Sequence, residues 1–174
     1  ACLKNISFYH EIHLIMQHTA VIALGSNLSQ PQQQVRAALD ELAALPGCRL
    51  LQASSLYLSA PVGYTDQPDF VNAVCLLETG LEPQALLSAL HGIEAKFGRE
   101  RTFRNAPRTL DLDIIDFNGI TLHSERLTLP HPRAHERSFV MLPLAEIAPD
   151  YRLPGQPTAA ELAATLGSDG IKRL

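Results

Sequence analysis

The chain has 174 residues, 46% of them hydrophobic and 18% charged, with a formal net charge of −4. That length and balance suit one soluble domain with a real core, and argue against disordered, fibrous and broadly basic nucleic-acid-binding classes. Three scattered cysteines, Cys2, Cys48 and Cys75, lack any Cys-x-x-Cys pairing and suit a reducing, cytoplasmic setting; no apolar run approaches a membrane span.

Residues 1–15, ACLKNISFYHEIHLI, are apolar but broken by Lys4, His10, Glu11 and His13, so no signal-peptide core forms. They are expected to be an N-terminal extension without a catalytic role, ahead of a single domain spanning 16–174. Ala20 to Leu24 reads as a short strand, closed by a turn at Gly25-Ser26-Asn27. A helix is predicted from Pro31, with Val35, Ala38, Leu39, Leu42 and Leu45 at helical spacing, ending at Pro46-Gly47. A strand over 50–58, a loop from Ser59 to Pro68 and a strand from Phe70 to Leu77 follow.

The second helix is predicted from Pro83 to Phe97, with Leu86, Leu90, Ile93 and Phe97 as its buried stripe and Gly98 as its cap. Glu94 falls at the edge of that stripe, where an ordinary, partly exposed helix glutamate is the plainer alternative to a ligand contact. After an arginine-rich segment comes a strand through Asp111, turning at Asn118-Gly119, an expected type I′ hairpin. Thr158-x-x-Glu161 is a capping box for a last helix through Leu166. The order predicts an α+β fold: a ferredoxin-like βαββαβ core with an added hairpin and C-terminal helix, in a three-layer αβα sandwich.

The segment from Arg99 to Asp113, RERTFRNAPRTLDLD, carries the chemistry. Alternation places Leu110, Leu112 and Ile114 on one face and Asp111 and Asp113 on the other, about 7 Å apart along the backbone. Two such carboxylates can serve metal ions in phosphate transfer, and the arginines can meet phosphate oxygens. A solvated amphipathic strand beside a solvated arginine loop is the plainer reading. Local positive charge in an acidic chain tips the balance toward a small anionic ligand at a magnesium–phosphate site. DLDIID is no EF-hand loop, since glycine is missing at its sixth position and Leu122 stands where glutamate is needed. Nor is there a P-loop. His131 and His135 are spaced i, i+4, but Pro132 disfavours helix at His131 and no third ligand is near, which weighs against zinc.

Four blocks resemble the 6-hydroxymethyl-7,8-dihydropterin pyrophosphokinase family: ALGSNL at 23–28, the SSLY to DQPDFVNAV stretch at 54–74, PRTLDLDI at 107–114, and LPHPRAHERSFVMLPLAEIAP at 129–149. The resemblance implies an ATP-dependent diphosphokinase that passes the terminal pyrophosphoryl group of ATP to a reduced pterin and releases AMP. It implies that Asp111 and Asp113 ligate two Mg²⁺ ions and that Arg99, Arg101 and Arg108 act on the phosphates. ATP is expected to meet Glu94, Arg108, Ile114, Arg126, Thr128, His131 and Arg137. The pterin is expected to meet Ser59, Ala60, Val62, Phe70, Asn72 and Phe139. The family pattern further implies an ordinarily monomeric enzyme with small-molecule substrates and neither nucleic acid nor membrane as partner.

Three positions depart from the pattern. Asn105 stands where many members carry tryptophan in a loop one residue longer, His91 where glutamine is common, and Pro132 where tyrosine is frequent. Two rival readings use the same residues: a two-metal phosphohydrolase, and a non-catalytic pterin- or nucleotide-binding module.

Overall fold

The computed structural model describes residues 18–98, 103–105 and 107–174; the expected extension, Met16, Arg99 and Arg101 lie outside the described residues. At the centre is β1 (His18–Ser26), whose small and β-branched residues alternate between two apolar surfaces. Ala20, Ile22 and Leu24 enter one cluster, with Val35, Ala38 and Leu42 of α1 (Pro31–Ala43) and Leu86, Leu90 and Ile93 of α2 (Pro83–Lys96). Val21 enters the other, with Val140, Met141 and Leu144 of α3 (Ser138–Ile147) and Ala159 and Ala163 of α4 (Ala159–Leu166). Helices therefore cover both faces of one sheet, as the three-layer expectation requires.

Strand β4 (Phe70–Thr79) pairs antiparallel with β1 on one side, and β5 (Asp111–Phe117) on the other. Beyond β4, the expected strand over 50–58 is split into β2 (Cys48–Ala53) and β3 (Tyr57–Ser59), which pair with successive parts of β4. Ser54 makes the break: its N–H donates to the Val74 carbonyl at 2.9 Å while its hydroxyl accepts from the Val74 N–H at 2.9 Å. A short C-terminal strand, β8 (Ile171–Arg173), adds to β3. It gave no periodic signal, because three residues are too few to show one.

Three further points differ from the sequence reading. Asn118 and Gly119 do turn with positive φ, 54° and 67°, but the chain does not return along β5. Gly119 N–H is caught by the Asp116 carboxylate at 3.1 Å, and the outer edge of β5 accepts a bond from His131 N–H to Ile115 at 2.8 Å. The next strands, β6 (Leu122–His123) and β7 (Thr128–Leu129), pair with each other as a separate hairpin. Helix α3 is an addition, hidden by Pro143 within it and by an apolar composition with little polar face to mark a period. Glu94 is not at an exposed edge. It is 3% exposed, and its carboxylate accepts the backbone N–H of Leu112 on β5 at 3.1 Å.

The capping box on α4 is present in both directions, Glu161 N–H to Thr158 Oγ1 at 3.2 Å and Thr158 N–H to Glu161 Oε2 at 3.3 Å. Thr158→Ala should cost about 1 kcal/mol in chemical denaturation, with turnover unchanged because α4 lies away from the cleft; an unchanged unfolding midpoint would count against the cap.

Candidate active site

A cleft of about 800 Å³ opens over the face of the sheet that carries α3. Its floor is part of a row of paired residues that runs across four strands and extends past the lining to Tyr57. Tyr57 on β3 faces Asn72 on β4, Asn72 faces Gly25 on β1, and Gly25 faces Asp111 on β5. One step along, Ala23 separates Val74 from Asp113. Partners across an antiparallel ladder project to the same face, so the register alone brings Asn72 and Asp111 into one cleft about 9.5 Å apart, two interstrand spacings. Between them β1 offers only hydrogen and methyl. A Cβ placed on Gly25 would sit 3.3 Å from Asn72 Oδ1 and 3.9 Å from the Phe70 ring.

On the β4 side, Asn72 is 5% exposed and donates from Nδ2 to Ser59 Oγ at 2.6 Å, which leaves its Oδ1 toward Gly25. Ser59, Ala60 and Val62 form one wall, and Phe70 and Phe139 bring aromatic faces. Each ring is covered by a guanidinium, Arg108 at 5.3 Å over Phe70 and Arg137 at 5.5 Å over Phe139, inside the range of cation–π attraction.

On the β5 side, Asp111 and Asp113 share the face opposite Leu110, Leu112 and Ile114, which are buried beneath α1 and α2. Arg108 Nη1 donates to Asp111 Oδ2 at 2.9 Å. Arg137 is half-buried; burial pulls its pKa below the ordinary arginine value, opposed by the charges of Asp113 and Asp111. His131 is pushed down to about 4, first by burial and then by the Arg137 charge, with Asp111 opposing and Arg133 adding to the fall. Its Nδ1 accepts the Arg133 N–H at 3.2 Å, which assigns the ring proton to Nε2.

A third aspartate on the strand, Asp116, takes no part in the cleft. An irregular step in the β1–β5 register leaves Ile115 unopposed, and Asp116 accepts instead from Tyr151 Oη and Gly119 N–H.

Sequence-predicted residues thus fall into three groups. The cleft unites Ser59, Ala60, Val62, Phe70, Asn72, Arg108, Asp111, Asp113, Arg137 and Phe139. Outside its lining are exposed Arg126, half-buried Thr128 and His131, and buried Glu94. Ile114 turns its side chain into the opposite core, so only its backbone is available to a ligand, a correction to any side-chain role. Arg99 and Arg101 lie outside the described residues.

Sequence reasoning gave no site role to Gly25 and Asn27, read only as a turn within the ALGSNL block, or to Arg133, counted only among the arginines that flank the aspartate strand. Asn27, 2% exposed, exchanges backbone bonds with Arg108 through its N–H (3.1 Å) and Oδ1 (2.9 Å). Its Nδ2 donates to Gln67 Oε1 at 2.8 Å and to the Pro68 carbonyl at 3.0 Å. Gln67 in turn donates to the Asn105 carbonyl at 2.9 Å. Three loops meet on this one amide. The only local hint was the turn signal itself.

The family model for 7,8-dihydro-6-hydroxymethylpterin-pyrophosphokinase matches residues 21–149. A 2-amino-4-hydroxy-6-hydroxymethyldihydropteridine pyrophosphokinase of Pseudomonas aeruginosa is 50% identical over 153 residues, covering 88% of this chain and 94% of the relative. The protein of the same name from Haemophilus influenzae is 49% identical over 144 residues, covering 83% of this chain and 90% of the relative. Among solved structures, the HPPK-DHPS of Plasmodium falciparum superposes with a TM-score of 0.72 at 16% identity, over 90% of this chain. The match spans 46% of that longer chain, and at this identity the likeness speaks for the fold.

In the metal-free, ligand-free protein the His131 ring should stay neutral down to about pH 4, followed by NMR of the imidazole carbons. Because its folded pKa lies below the unfolded value, this group stabilises the fold above about pH 6.5, and that contribution fades as pH falls toward 4. Arg137→Ala should move the His131 midpoint upward; a downward move would contradict the assigned electrostatics.

Proposed function

The chain belongs to the 7,8-dihydro-6-hydroxymethylpterin-pyrophosphokinase family, and from that membership we infer that it transfers pyrophosphate from ATP to 6-hydroxymethyl-7,8-dihydropterin in folate biosynthesis. The hydroxymethyl oxygen bonds to the β-phosphorus of ATP, the bond from that phosphorus to the α–β bridging oxygen breaks, AMP leaves, and the hydroxyl proton passes to solvent. This transfer takes the place of the hydrolase and binding-module readings.

The observation that best supports an assignment of residues is the row Asn72–Gly25–Asp111. It sets a slot for a flat heterocycle beside two carboxylates, with space over Gly25 for a reacting hydroxymethyl group between them. The pterin ring lies between Phe70 and Phe139, where two aromatic faces suit a planar ring. Asn72 reads its amide edge, held in one orientation by Ser59, and backbone groups of Ser59, Ala60 and Val62 complete that side.

The triphosphate lies over the β5 side. Arg108 and Arg137 exchange their positions over aromatic rings for phosphate oxygens, where a guanidinium fork makes charge-assisted bonds. His131 offers Nε2–H as a neutral donor, and Arg99, Arg101, Arg126 and Thr128 complete the ATP set. Glu94 holds the Leu112 backbone, and so the strand on which the aspartates sit.

Asp111 and Asp113 are hard oxygen donors on one face, and Asp111 already takes a cation, Arg108, at 2.9 Å; this donor chemistry fits Mg²⁺. Two such ions would supply neutralisation of phosphate charge, the usual need of phosphoryl-type transfer.

Mixing the protein with ATP, Mg²⁺ and the pterin should yield AMP and pterin diphosphate one for one; ADP as the product would overturn the reading. Asp113→Asn should abolish turnover with the unfolding midpoint retained. Asn72→Ala should raise KM for the pterin roughly tenfold, the worth of about one hydrogen bond to a fixed partner, while KM for ATP stays put; equal rises in both would remove Asn72 from pterin recognition.

A further inference from the structure

Two stretches of the family pattern lie outside the cleft: Ser54-Ser55-Leu56-Tyr57, and Pro143 to Pro149 around Glu146. The fold joins them. The Glu146 carboxylate on α3 accepts from Ser55 N–H at 2.9 Å, from Ser55 Oγ at 3.2 Å and from Tyr57 Oη at 2.6 Å. Arg173 Nε on β8 stands 3.8 Å from the same group. One carboxylate therefore ties a helix to the start of β3 and to the strand beyond it.

What those elements carry gives the cluster its meaning. Phe139 lies seven residues before Glu146 on α3, two turns along the same side of the helix. Ser59 lies two residues after Tyr57 on β3, on the same face of the sheet, and Tyr57 is the direct cross-strand partner of Asn72. The two walls of the pterin slot, Phe139 on one and Ser59 with Asn72 on the other, are thus joined at a single point outside the slot. Strand β3 has only three residues, as does its neighbour β8, and the Ala60 N–H is spent on the Gly170 carbonyl at 3.1 Å. Strands so short have little stability of their own, so the β3 wall takes its position from what grips it.

We propose that Glu146 is a positioning residue for the pterin subsite, setting the separation of α3 from β3 and hence the width of the slot. This rests on the pterin assignment made above. The protonation states suit the task. Burial, with the bond and charge of Glu146, pushes the Tyr57 phenol up to about 12, so it stays a donor. Burial alone would raise the Glu146 pKa, but the donors Tyr57 and Ser55 and the Arg173 charge outweigh it and hold the group below the ordinary glutamate value.

The test compares Glu146→Gln, Glu146→Ala, Tyr57→Phe and Ser55→Ala in the full chain, measuring KM for each substrate, kcat and thermal midpoint. The expected result is a rise of about tenfold in KM for the pterin in Glu146→Ala and Tyr57→Phe, the loss of roughly one charge-assisted bond. KM for ATP should stay within twofold, and Glu146→Gln, which keeps an acceptor for Tyr57, should recover part of the loss. A lower thermal midpoint with the pterin KM unchanged would overturn the proposal, and so would parallel rises in both KM values. Should Glu146→Ala fail to fold, Tyr57→Phe and Ser55→Ala each delete one bond and decide the matter. A wild-type protein that made no pterin diphosphate would sink the parent reading itself, a failure visible without any variant.

Discussion

Everything in the cleft depends on the antiparallel register of β1 with its two neighbours. Side chains on a strand alternate with a period of two, so a slip of one residue would send a whole set to the other face. Here a slip on either side of β1 would put Asp111 and Asp113 under α1 and α2, or turn Asn72 away from them. The register is held by apolar burial on both faces. Ala20, Ile22 and Leu24 fill one core and Val21 the other, so no alternative pairing buries the same surface. Hydrophobic packing thereby fixes the relative placement of polar groups that never touch one another.

Charge in the cleft is arranged against its own short-term interest. Arg108 and Arg137 lie within one open space, and the loss of water around Arg137 is only partly offset by nearby carboxylates. Cation–π contacts with Phe70 and Phe139 give both guanidinium groups a resting place that is weaker than a phosphate. The same two rings suit a flat heterocycle. In the proposed complex, both demands would be met together: phosphate would take the arginines and leave the rings for stacking. His131, kept neutral first by burial and then by the Arg137 charge, keeps an N–H donor without adding another positive charge.

What could be read from the sequence was what repeats over a short distance. The Leu-Asp alternation of β5, the stripes of α1 and α2, and the Thr158–Glu161 box all come from neighbouring residues meeting through backbone geometry, and all appear in the fold. Helix α3 escaped because Pro143 and a near-continuous apolar run mask its period. The Asn118-Gly119 pair announced a turn but not its partner, which depends on Asp116 and on what reaches the edge of β5. Hydrogen bonds through Asn27 and Glu146 join residues 40 to 91 positions apart, and no local pattern reports these. Glu94 was misplaced for a related reason: its burial is bought by the Leu112 N–H, a group on another element.

Gly25 shows how a site can depend on a residue with no chemistry of its own. It offers no charge, no side-chain donor and no apolar surface, and its role is to be absent from the space between Asn72 and Asp111. In a lineage of such chains, duplication followed by drift would ordinarily be judged by the fate of the carboxylates and arginines. A copy that kept all of them and acquired a side chain here would still look intact by that standard and fold around the same two cores, yet it would crowd Asn72 and the space proposed above for the reacting group. On the proposed arrangement, a methyl where this chain has a hydrogen would mark such a copy before any charged residue was lost.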